Sequence, residues 1–329
     1  MRRPQRIDCQ AHYAPRAYLE ALSRRAGYPR VEKKGEGYFI WYAKGKGYGV
    51  SENTYRMDLK LQDMDKAGVD AQVLSLILPG ADLVEPDLGR ELAASYNDAV
   101  AELERQYPGR FYGLAALPAQ DTDLAVKELE RAVRTLGLRG VCLFSNVAGK
   151  HLDAEELWPL YARLEGLGVP LFLHPTLPVV SDRLPGYGFE FIIGYLFDTT
   201  IATLSLIFSG VLEKYPNLQV VVPHAGSTIP YLLGRVDYES QNPWARSDKI
   251  SKPASTYFRK LYVDTVCDST ATLQMALDCV GEDRVLFASD YPYWGLERSV
   301  ALIENLPVKA ETKRKIFSEN ARRLLKLDR

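Results

Sequence analysis

The chain has 329 residues, of which 47% are hydrophobic and 25% are charged, and these ordinary values exclude extensive disorder. Its 41 basic and 42 acidic residues give a formal net charge of -1, which excludes a broad electrostatic attraction to nucleic acid or to an anionic membrane. Any partner is therefore predicted to be a small molecule. No apolar stretch of about 18 residues is recognised in the sequence, so the predicted location is the cytoplasm.

Short apolar runs alternate with longer amphipathic stretches along most of the chain, which is the pattern of repeated strand and helix units. The eight strand-like runs lie at residues 6–10, 71–78, 110–117, 138–144, 169–174, 218–224, 260–265 and 284–290. The helical patterns lie at about 88–107, 121–136, 154–167, 197–215, 228–238, 270–280, 297–305 and 310–326. Several strands are nearly continuous apolar runs, as expected when both faces of a parallel sheet are covered.

Eight strands that alternate with helices predict one α/β domain over residues 1–329, a (β/α)8 TIM barrel. A doubly wound open sheet is the alternative, but no GxGxxG motif follows an early strand. Residues 27–56 contain the apolar run FIWYA between glycines, which predicts a hairpin in an insertion that folds over the barrel mouth. Residues 175–196 are predicted to be a second long loop, and loops of that length are usually functional.

Four cysteines lie far apart without a CxxC pair, namely Cys9, Cys142, Cys267 and Cys279. This spacing argues against a disulfide framework and against a thiolate zinc site. We expect them to be buried packing residues.

Polar side chains stand where several predicted strands end, and in a TIM barrel the active site lies at these carboxyl ends. The residues in question are Gln10 and His12 at the end of the first strand, His174 at the end of the fifth, His224 at the end of the sixth and Asp290 at the end of the eighth. Three of the four histidines thus converge with an aspartate on one rim. Such a set of nitrogen and oxygen donors is typical of a site for a divalent transition metal. The fourth histidine, His151, precedes a helical pattern and is expected on the surface.

Gln10 stands in the segment RIDCQAHYAP at the position where a histidine would complete an HxH pair with His12. Three interpretations are open: a metal site with one substituted ligand, a site that has lost its metal, or no site. A glutamine can still offer its carbonyl oxygen, although as a weaker ligand than imidazole or carboxylate. Alternatively, Gln10 forms a hydrogen bond within the barrel beside a three-ligand site.

The stretches IDCQAHYAP, LEGLGVPLFLHPT, LIFSGVLEKYPNLQVVVPHAGSTIPYLLGRVD and GEDRVLFASDYPY resemble the amidohydrolase superfamily. They are most similar to its amidohydrolase 2 branch, which contains aminocarboxymuconate-semialdehyde decarboxylase and the γ-resorcylate and carboxyvanillate decarboxylases. The resemblance covers nearly the whole chain, and the SDYP and PHAGSxxPYLLGRVD segments are its most specific parts.

The resemblance implies one divalent metal ion, Zn²⁺ in the first place and Mn²⁺ as the alternative. It implies His12, His174 and Asp290 as metal ligands, with Gln10 as the substituted fourth. It also implies His224 as a general acid or base beside the metal, with Asp290 as the second catalytic residue. The related aromatic decarboxylases place a glutamate at the position of Gln10, whereas neutral glutamine leaves Asp290 as the only anionic ligand and favours an anionic substrate.

The resemblance also implies an assembly, and the rim suggests substrate contacts. Arg235 matches the family arginine that reaches across a dimer interface toward the substrate carboxylate, so we expect a homodimer or a higher homo-oligomer. A salt bridge from Arg235 to Asp237 is the alternative role. Tyr291, Tyr293 and Trp294 lie near the predicted mouth and can line a planar, unsaturated acid, although some such placement is expected by chance among 20 tyrosines.

Three functions remain open. The first is a metal-dependent, non-oxidative decarboxylase of an aromatic or muconate-like acid, in which Asp290 or His224 delivers a proton to the carbon that bears the carboxylate. The second is a hydrolase or hydratase of the same superfamily, in which the metal lowers the pKa of bound water. The third is a barrel that only binds a small acid, for which Gln10 is the one support. Because a fold does not decide between reactions, bound metal and CO2 release are the discriminating measurements.

Overall fold

The computed structural model describes residues 5–178, 183–184 and 186–327. Eight parallel strands form one sheet, a nearly closed α/β barrel with helices between the strands, which confirms the predicted TIM-barrel fold. In barrel order the strands are β1 Ile7–Tyr13, β5 Ala71–Leu76, β6 Phe111–Ala115, β7 Gly140–Phe144, β10 Leu171–His174, β11 Val220–Val222, β12 Tyr262–Asp264 and β13 Val285–Leu286. Each of them lies within or beside an apolar run that the sequence offered.

The barrel strands are buried because helices and side chains cover both of their faces. All seven residues of β1, IDCQAHY, are buried, as are all four of β10, LFLH. Burial of the apolar side chains stabilises this arrangement by about 25 cal/mol per Å² of apolar surface. Asp8, Gln10 and His12 are thus held inside an apolar layer, where each of them requires a hydrogen-bonding partner.

The predicted hairpin in residues 27–56 is present and is extended by a further strand. It comprises β2 Arg30–Lys34, β3 Gly37–Ala43 and β4 Lys46–Val50, which pair in an antiparallel three-stranded sheet. Val31 lies opposite Ile40, and Tyr38 lies opposite Val50. A two-stranded ribbon, β8 Asn146–Val147 and β9 Lys150–His151, lies further along the chain, and His151 is exposed there as predicted.

The helices occupy the predicted amphipathic stretches, with some divisions. They are α1 Arg16–Ser23, α2 Met57–Ala67, α3 Pro86–Gln106, α4 Thr122–Arg134, α5 Trp158–Leu167, α6 Tyr195–Phe208, α7 Val211–Lys214, the turn α8 Pro223–Gly226, α9 Ile229–Glu239, α10 Ala254–Phe258, α11 Thr270–Val280, α12 Leu296–Glu304, α13 Ala310–Arg314 and α14 Asn320–Leu325. Side-chain caps set two of the starts, because Asp121 accepts from the N–H of Leu124 at 3.0 Å and Ser269 accepts from the N–H of Thr272 at 3.2 Å.

The described residues fall into two compact units. The first comprises residues 5–142 and 288–300, and it contains β1 to β6 and the segment that follows β13. The second comprises residues 143–287 and 301–327, and it contains α5 to α11 and β10 to β13. That residues 1–329 constitute a single domain stays a prediction.

The segment before α6 corrects two expectations from the sequence. Residues Glu190–Gly194 are already helical, so the predicted loop 175–196 ends earlier, and part of it, residues 179–182 and 185, lies outside the described residues. The resulting helix Glu190–Phe208 has 19 residues and a mean hydropathy of 1.8, so by length and composition it could cross a membrane. Asp198 and several threonines interrupt its apolar run, so this helix was not predicted from the sequence. This feature is weak evidence for a membrane, since core helices of soluble proteins share it.

The four cysteines are free thiols. Cys9 and Cys142 are buried as expected, and burial raises the pKa of the Cys142 thiol to about 12. Cys267 and Cys279 are only partly buried, which corrects the expectation for these two residues.

Glu104, near the end of α3, provides a pH-dependent prediction about stability. Burial raises the pKa of its carboxyl from 4.5 to about 7, although the N–H of Gly113 donates to it and Arg139 lies nearby. The folded state therefore binds this proton more tightly than the unfolded chain does. The resulting stabilisation is fully present below pH 4.5 and is lost as the pH rises through 7.

We therefore expect Glu104→Gln to match the wild type in unfolding free energy at about pH 4.5, and to exceed it by about 3 kcal/mol at about pH 8, since one pKa unit corresponds to about 1.4 kcal/mol. Urea unfolding at both pH values measures this difference. Glu102→Gln, on the exposed side of the same helix, is the matched control and should show no such change. Equal stability of Glu104→Gln and wild type at the higher pH would mean that the Glu104 carboxylate is buried without penalty.

Candidate metal centre

β1 brings Gln10 and His12 to one carboxylate. The Gln10 Nε2 amide donates to Asp290 Oδ1 at 3.0 Å, and His12 Nε2 lies 2.8 Å from the same oxygen. Gln10 and His12 are 8% and 1% exposed, and the Asp290 side chain is 13% exposed. Residues separated by about 280 positions in the sequence therefore lie together at one site with little exposure to solvent.

Backbone hydrogen bonds hold the Asp290 segment against β1. The N–H of Asp290 donates to the carbonyl of Gln10 at 2.8 Å, and the N–H of His12 donates to the carbonyl of Tyr291 at 2.8 Å. Asp290 itself has φ 59, in the left-handed region, where a residue other than glycine costs about 1–3 kcal/mol and persists only if its surroundings hold it. The two segments are thus joined through both main chain and side chains.

Further contacts fix the His12 ring and its backbone. His12 Nδ1 lies 3.2 Å from Ser75 Oγ, so the other ring nitrogen, Nε2, is the one that faces Asp290. The Lys60 ammonium donates to the His12 carbonyl at 3.0 Å from α2. A hydrogen bond to the ring nitrogen that does not bind the metal, such as the contact between Nδ1 and Ser75, commonly fixes the orientation of a metal-binding histidine.

His174 is the last residue of β10, as the sequence predicted for a strand end. Its Nδ1 lies 2.7 Å from the carbonyl of Pro175, which can only accept, so Nδ1 carries the proton and Nε2 is the nitrogen that can offer a lone pair to a metal. The ring also meets the Phe144 ring edge-on at 5.7 Å. These contacts leave His174 in the tautomer that a metal ligand requires.

Three of the predicted ligands form a group suited to a divalent ion. His12, His174 and Asp290 each offer one ligand atom, and these atoms all lie within 4.8 Å of one another. Two imidazole nitrogens and a carboxylate oxygen are a common donor set for Zn²⁺ and Mn²⁺. The residues present therefore fit the metal that the sequence resemblance implied.

His224 lies outside the strand that was expected to end in it. β11 ends at Val222, and His224 stands two residues later in a turn with φ 56 and ψ 53. Its side chain is partly buried, and it is not a member of the three-ligand group found in the described part of the chain. The role of His224 beside a metal stays a prediction.

Two buried charged residues, Asp8 and Lys60, support the rim and were missed in the sequence analysis. Asp8 accepts from the Ser289 hydroxyl at 2.6 Å and from the Ser289 N–H at 2.9 Å, and burial raises its pKa to about 6. Burial lowers the pKa of Lys60 to about 7. The available signal was an aspartate within the apolar run RIDCQ, because a charge in a buried strand requires specific partners.

Tyr293 is the predicted substrate residue that contacts His12 of β1. Its ring centre lies 5.7 Å from that of His12 and 6.1 Å from that of Tyr48, with the two tyrosine rings edge to face. Tyr48 belongs to β4 of the insertion, and its hydroxyl donates to the carbonyl of Leu78 at 2.6 Å. The insertion thus contributes an aromatic residue beside Tyr293, Tyr48, which was not predicted from the sequence.

The other two predicted aromatic residues lie differently. Tyr291 is 4% exposed, and its hydroxyl donates to Asp63 at 2.6 Å, while Lys60 lies 4.4 Å from its ring centre. Trp294 is 39% exposed. Tyr291 is therefore held against α2, whereas Trp294 remains accessible to solvent.

Arg235 forms a different ion pair from the one proposed as its alternative role. Its side chain is 74% exposed and lies 3.5 Å from Glu239, one turn along α9. Asp237 instead accepts from the N–H of Ser255 at 3.0 Å, which corrects the suggested pairing with Asp237. In a helix, residues four apart share one face, whereas residues two apart do not.

Comparisons with known proteins extend over almost the whole chain. The family model described as amidohydrolase matches residues 7–327. A 2-amino-3-carboxymuconate-6-semialdehyde decarboxylase of Dictyostelium discoideum is 33% identical over 286 residues, which cover 85% of this chain and 79% of the relative. A γ-resorcylate decarboxylase of Polaromonas sp. is 32% identical over 288 residues, which cover 83% of this chain and 88% of the relative.

A solved structure gives the same assignment. It is the 5-carboxyvanillate decarboxylase of Novosphingobium aromaticivorans, complexed with manganese and 4-hydroxy-3-methoxy-5-nitrobenzoic acid. The TM-score is 0.85 at 28% identity, and the match covers 98% of this chain and 96% of that one.

Proposed function

We infer the function from the premise that this chain belongs to the amidohydrolase family. We propose that it is a metal-dependent, non-oxidative decarboxylase of an aromatic or muconate-like carboxylic acid. Such an enzyme is a carbon–carbon lyase. The observation that carries this proposal is the group of ligand atoms from His12, His174 and Asp290 within 4.8 Å of one another. The similarity to decarboxylases of small carboxylic acids supports the choice of reaction.

We propose that His12, His174 and Asp290 hold one divalent ion, with Gln10 as a weaker neutral ligand. The manganese in the related carboxyvanillate decarboxylase makes Mn²⁺ the first ion to test, and Zn²⁺ the second. When bound, such an ion polarises the oxygens of a substrate and stabilises negative charge that develops on them. Asp290 is the only anionic member of this ligand set, so a divalent ion would keep a net positive charge at the site. That charge favours the binding of an anionic acid.

The protein's own contribution to the reaction is to orient the acid and to deliver a proton. Decarboxylation replaces a carbon–carboxylate bond by a carbon–hydrogen bond: the proton adds to that carbon, and CO2 then leaves while its bonding electrons stay with the substrate. Asp290 and His224 are the proposed proton donors. Tyr293 and Trp294 are proposed to line the plane of the substrate, with Tyr291 behind them.

The test of this function begins with metal-free protein that is reloaded separately with Mn²⁺ or Zn²⁺. Each form is incubated with aromatic and muconate-like acids that carry ¹³C in the carboxyl group, and labelled CO2 is measured. We expect release that requires the metal and that His12→Ala abolishes. Metal-dependent turnover of esters or amides without CO2 release from any acid would replace the decarboxylase by a hydrolase.

We also propose that the chain forms a homodimer. Large apolar side chains are exposed on the helix Glu190–Phe208 and on α9, namely Phe191, Ile192, Phe197, Ile201, Tyr231 and Tyr238. Exposed apolar patches of this kind are typical of protein–protein interfaces. Arg235 lies on α9 among them, and we propose that it binds the substrate carboxylate of the neighbouring copy. A cytoplasmic location is proposed as well, because four free cysteines are usual in a reducing compartment.

Phe197→Glu is expected to convert the dimer into a monomer, because it places a charge in an apolar interface. Light scattering coupled to size exclusion should show a molar mass of 37.0 kDa for this variant and twice that mass for the wild type. Met275→Glu, at a residue 44% exposed on α11, is the matched control and should remain dimeric. A wild-type mass of 37.0 kDa at micromolar concentration would contradict the dimer.

A further inference from the structure

α6 places three consecutive polar residues, Asp198, Thr199 and Thr200, in the interior of the protein. They are 3%, 0% and 4% exposed. A buried hydroxyl or carboxylate costs free energy unless it is hydrogen-bonded, so the partners of these residues indicate what the residues do. The partners from other elements lie just after β7 and in the turn that follows β11.

The turn that carries His224 is strained and needs such partners. His224, Ala225 and Ser227 have φ values of 56, 54 and 58, in the left-handed region that residues other than glycine seldom adopt. Each such residue costs about 1–3 kcal/mol and persists only where its surroundings hold it. On one side, Asp264 accepts from the N–H of Ala225 at 3.1 Å.

Thr199 and Thr200 hold this turn from α6. Thr199 Oγ1 lies 2.6 Å from the Ser227 hydroxyl. Thr200 Oγ1 accepts from the N–H of Thr228 at 3.1 Å and lies 2.7 Å from its hydroxyl. The strained turn is therefore bound on both sides, and the backbone of His224 has little freedom to relax.

Asp198 performs a similar task next to His174. Its Oδ2 accepts from the Ser145 hydroxyl at 2.5 Å and from the Asn146 amide at 3.0 Å. Ser145 in turn donates from its N–H to the carbonyl of His174 at 2.8 Å, and its Oγ accepts from the N–H of Thr176 at 3.1 Å. Asp198 thus fixes a serine that is hydrogen-bonded to the main chain at His174 and two residues after it.

We propose that Asp198, Thr199 and Thr200 are positioning residues for the reaction, with Asp198 setting the orientation of His174 and the two threonines that of His224. This inference deepens the proposed function and rests on it. None of the three is proposed to touch the substrate. Their effect arises because a displacement of about 1 Å in a catalytic group can reduce the rate by about 100-fold.

The first test uses the four histidines of the chain as spectroscopic reporters. The imidazoles are labelled with ¹³C, and their NMR signals are assigned in the metal-free protein with His224→Asn and His174→Asn. Thr199→Val combined with Thr200→Val should shift or split the His224 signal, and Asp198→Ala should do so for the His174 signal. Asp198→Asn should restore the His174 signal, because an amide oxygen can accept the same two hydrogen bonds.

Thr203→Val is the matched control. Thr203 lies on the same helix, is 0% exposed, and its hydroxyl donates to the carbonyl of Thr199 at 2.8 Å within the helix. This substitution removes a buried hydroxyl just as the others do, yet it does not affect the strand ends. It should leave all four imidazole signals in place.

The second test measures turnover in the metal-loaded protein. The double valine variant should lose about 100-fold in kcat with KM changed by less than about threefold, and the corresponding double serine variant should recover most of kcat. The melting temperature of the double valine variant should stay close to that of Thr203→Val, so that a loss of stability does not explain the loss of rate.

The two tests separate this inference from the proposed function. A wild type that releases no CO2 would overturn the proposed decarboxylase function. The NMR measurement requires no turnover, so it would still test the positioning role. If the double valine variant does not fold, the single variants Thr199→Val and Thr200→Val replace it. An unchanged His224 signal in them, or an equal change in Thr203→Val, would overturn the inference.

Discussion

Asp290→Asn is expected to lower kcat/KM by about 10³-fold or more. Asparagine has the same shape and can still accept from Gln10 Nε2, which lies 3.0 Å from Asp290 Oδ1 in the wild type. It removes the only anionic member of the proposed ligand set and a proposed proton donor. The loss should therefore come from charge and proton transfer rather than from altered packing.

Steady-state kinetics and metal titration of one preparation measure the two consequences together. We expect metal affinity to fall by about 10- to 100-fold in addition to the loss of activity. Asp63→Asn is the matched control, because Asp63 accepts from the Tyr291 hydroxyl at 2.6 Å behind the rim and should change kcat/KM by less than about fivefold. If Asp290→Asn kept about a tenth of the wild-type kcat/KM, Asp290 would be neither an essential ligand nor the proton donor.

Gln10→His is expected to raise metal affinity by about 10-fold and to reduce turnover. Imidazole nitrogen is a better donor than an amide oxygen for Zn²⁺, so the variant restores an HxH pair with His12. The stronger donor reduces the Lewis acidity of the ion, and the bulkier ring occupies space beside Asp290 that a substrate oxygen can use in the wild type. Affinity and rate should thus move in opposite directions.

His12→Ala is the companion variant, and it should lower both quantities. Gln10→Ala distinguishes the two roles left open for Gln10: a ligand lost here weakens metal binding, whereas loss of the 3.0 Å hydrogen bond to Asp290 beside a three-ligand site leaves the affinity nearly unchanged. All three variants are read by titration with Mn²⁺ and Zn²⁺ and by CO2 release. If metal affinity were the same in wild type, Gln10→His and His12→Ala, the QAH segment would not belong to a metal site.

Regular patterns in the sequence were sufficient to predict the barrel and the ends of its strands. Apolar runs such as LFLH are local features of the sequence. A strand of a parallel sheet that is buried on both faces requires such a run, so the run predicts the strand. His12 and His174 could be identified for the same reason, because imidazoles at the ends of such runs must lie at one rim. The similarity to decarboxylases then agrees with a function that periodicity by itself could not give.

Contacts between distant segments could not be read from the sequence. The hydrogen bond of Tyr48 to Leu78 spans 30 positions, and that of His12 to Asp290 spans 278. The burial of Lys60 likewise depends on which face of α2 meets other parts of the chain. A residue's type indicates that a buried polar group needs a partner, but it does not indicate which partner.

The amino-acid sequence by itself thus indicated the eight-stranded barrel and the strand ends that carry His12, His174 and Asp290, because these follow from local periodicity. It indicated the family through motifs that resemble those of the amidohydrolases. Only the tertiary structure decided that Gln10 donates to Asp290 and that His224 lies in a left-handed turn held by α6. Such strain and such shared hydrogen bonds exist only when several segments pack together, since no isolated segment would hold a residue other than glycine in that conformation.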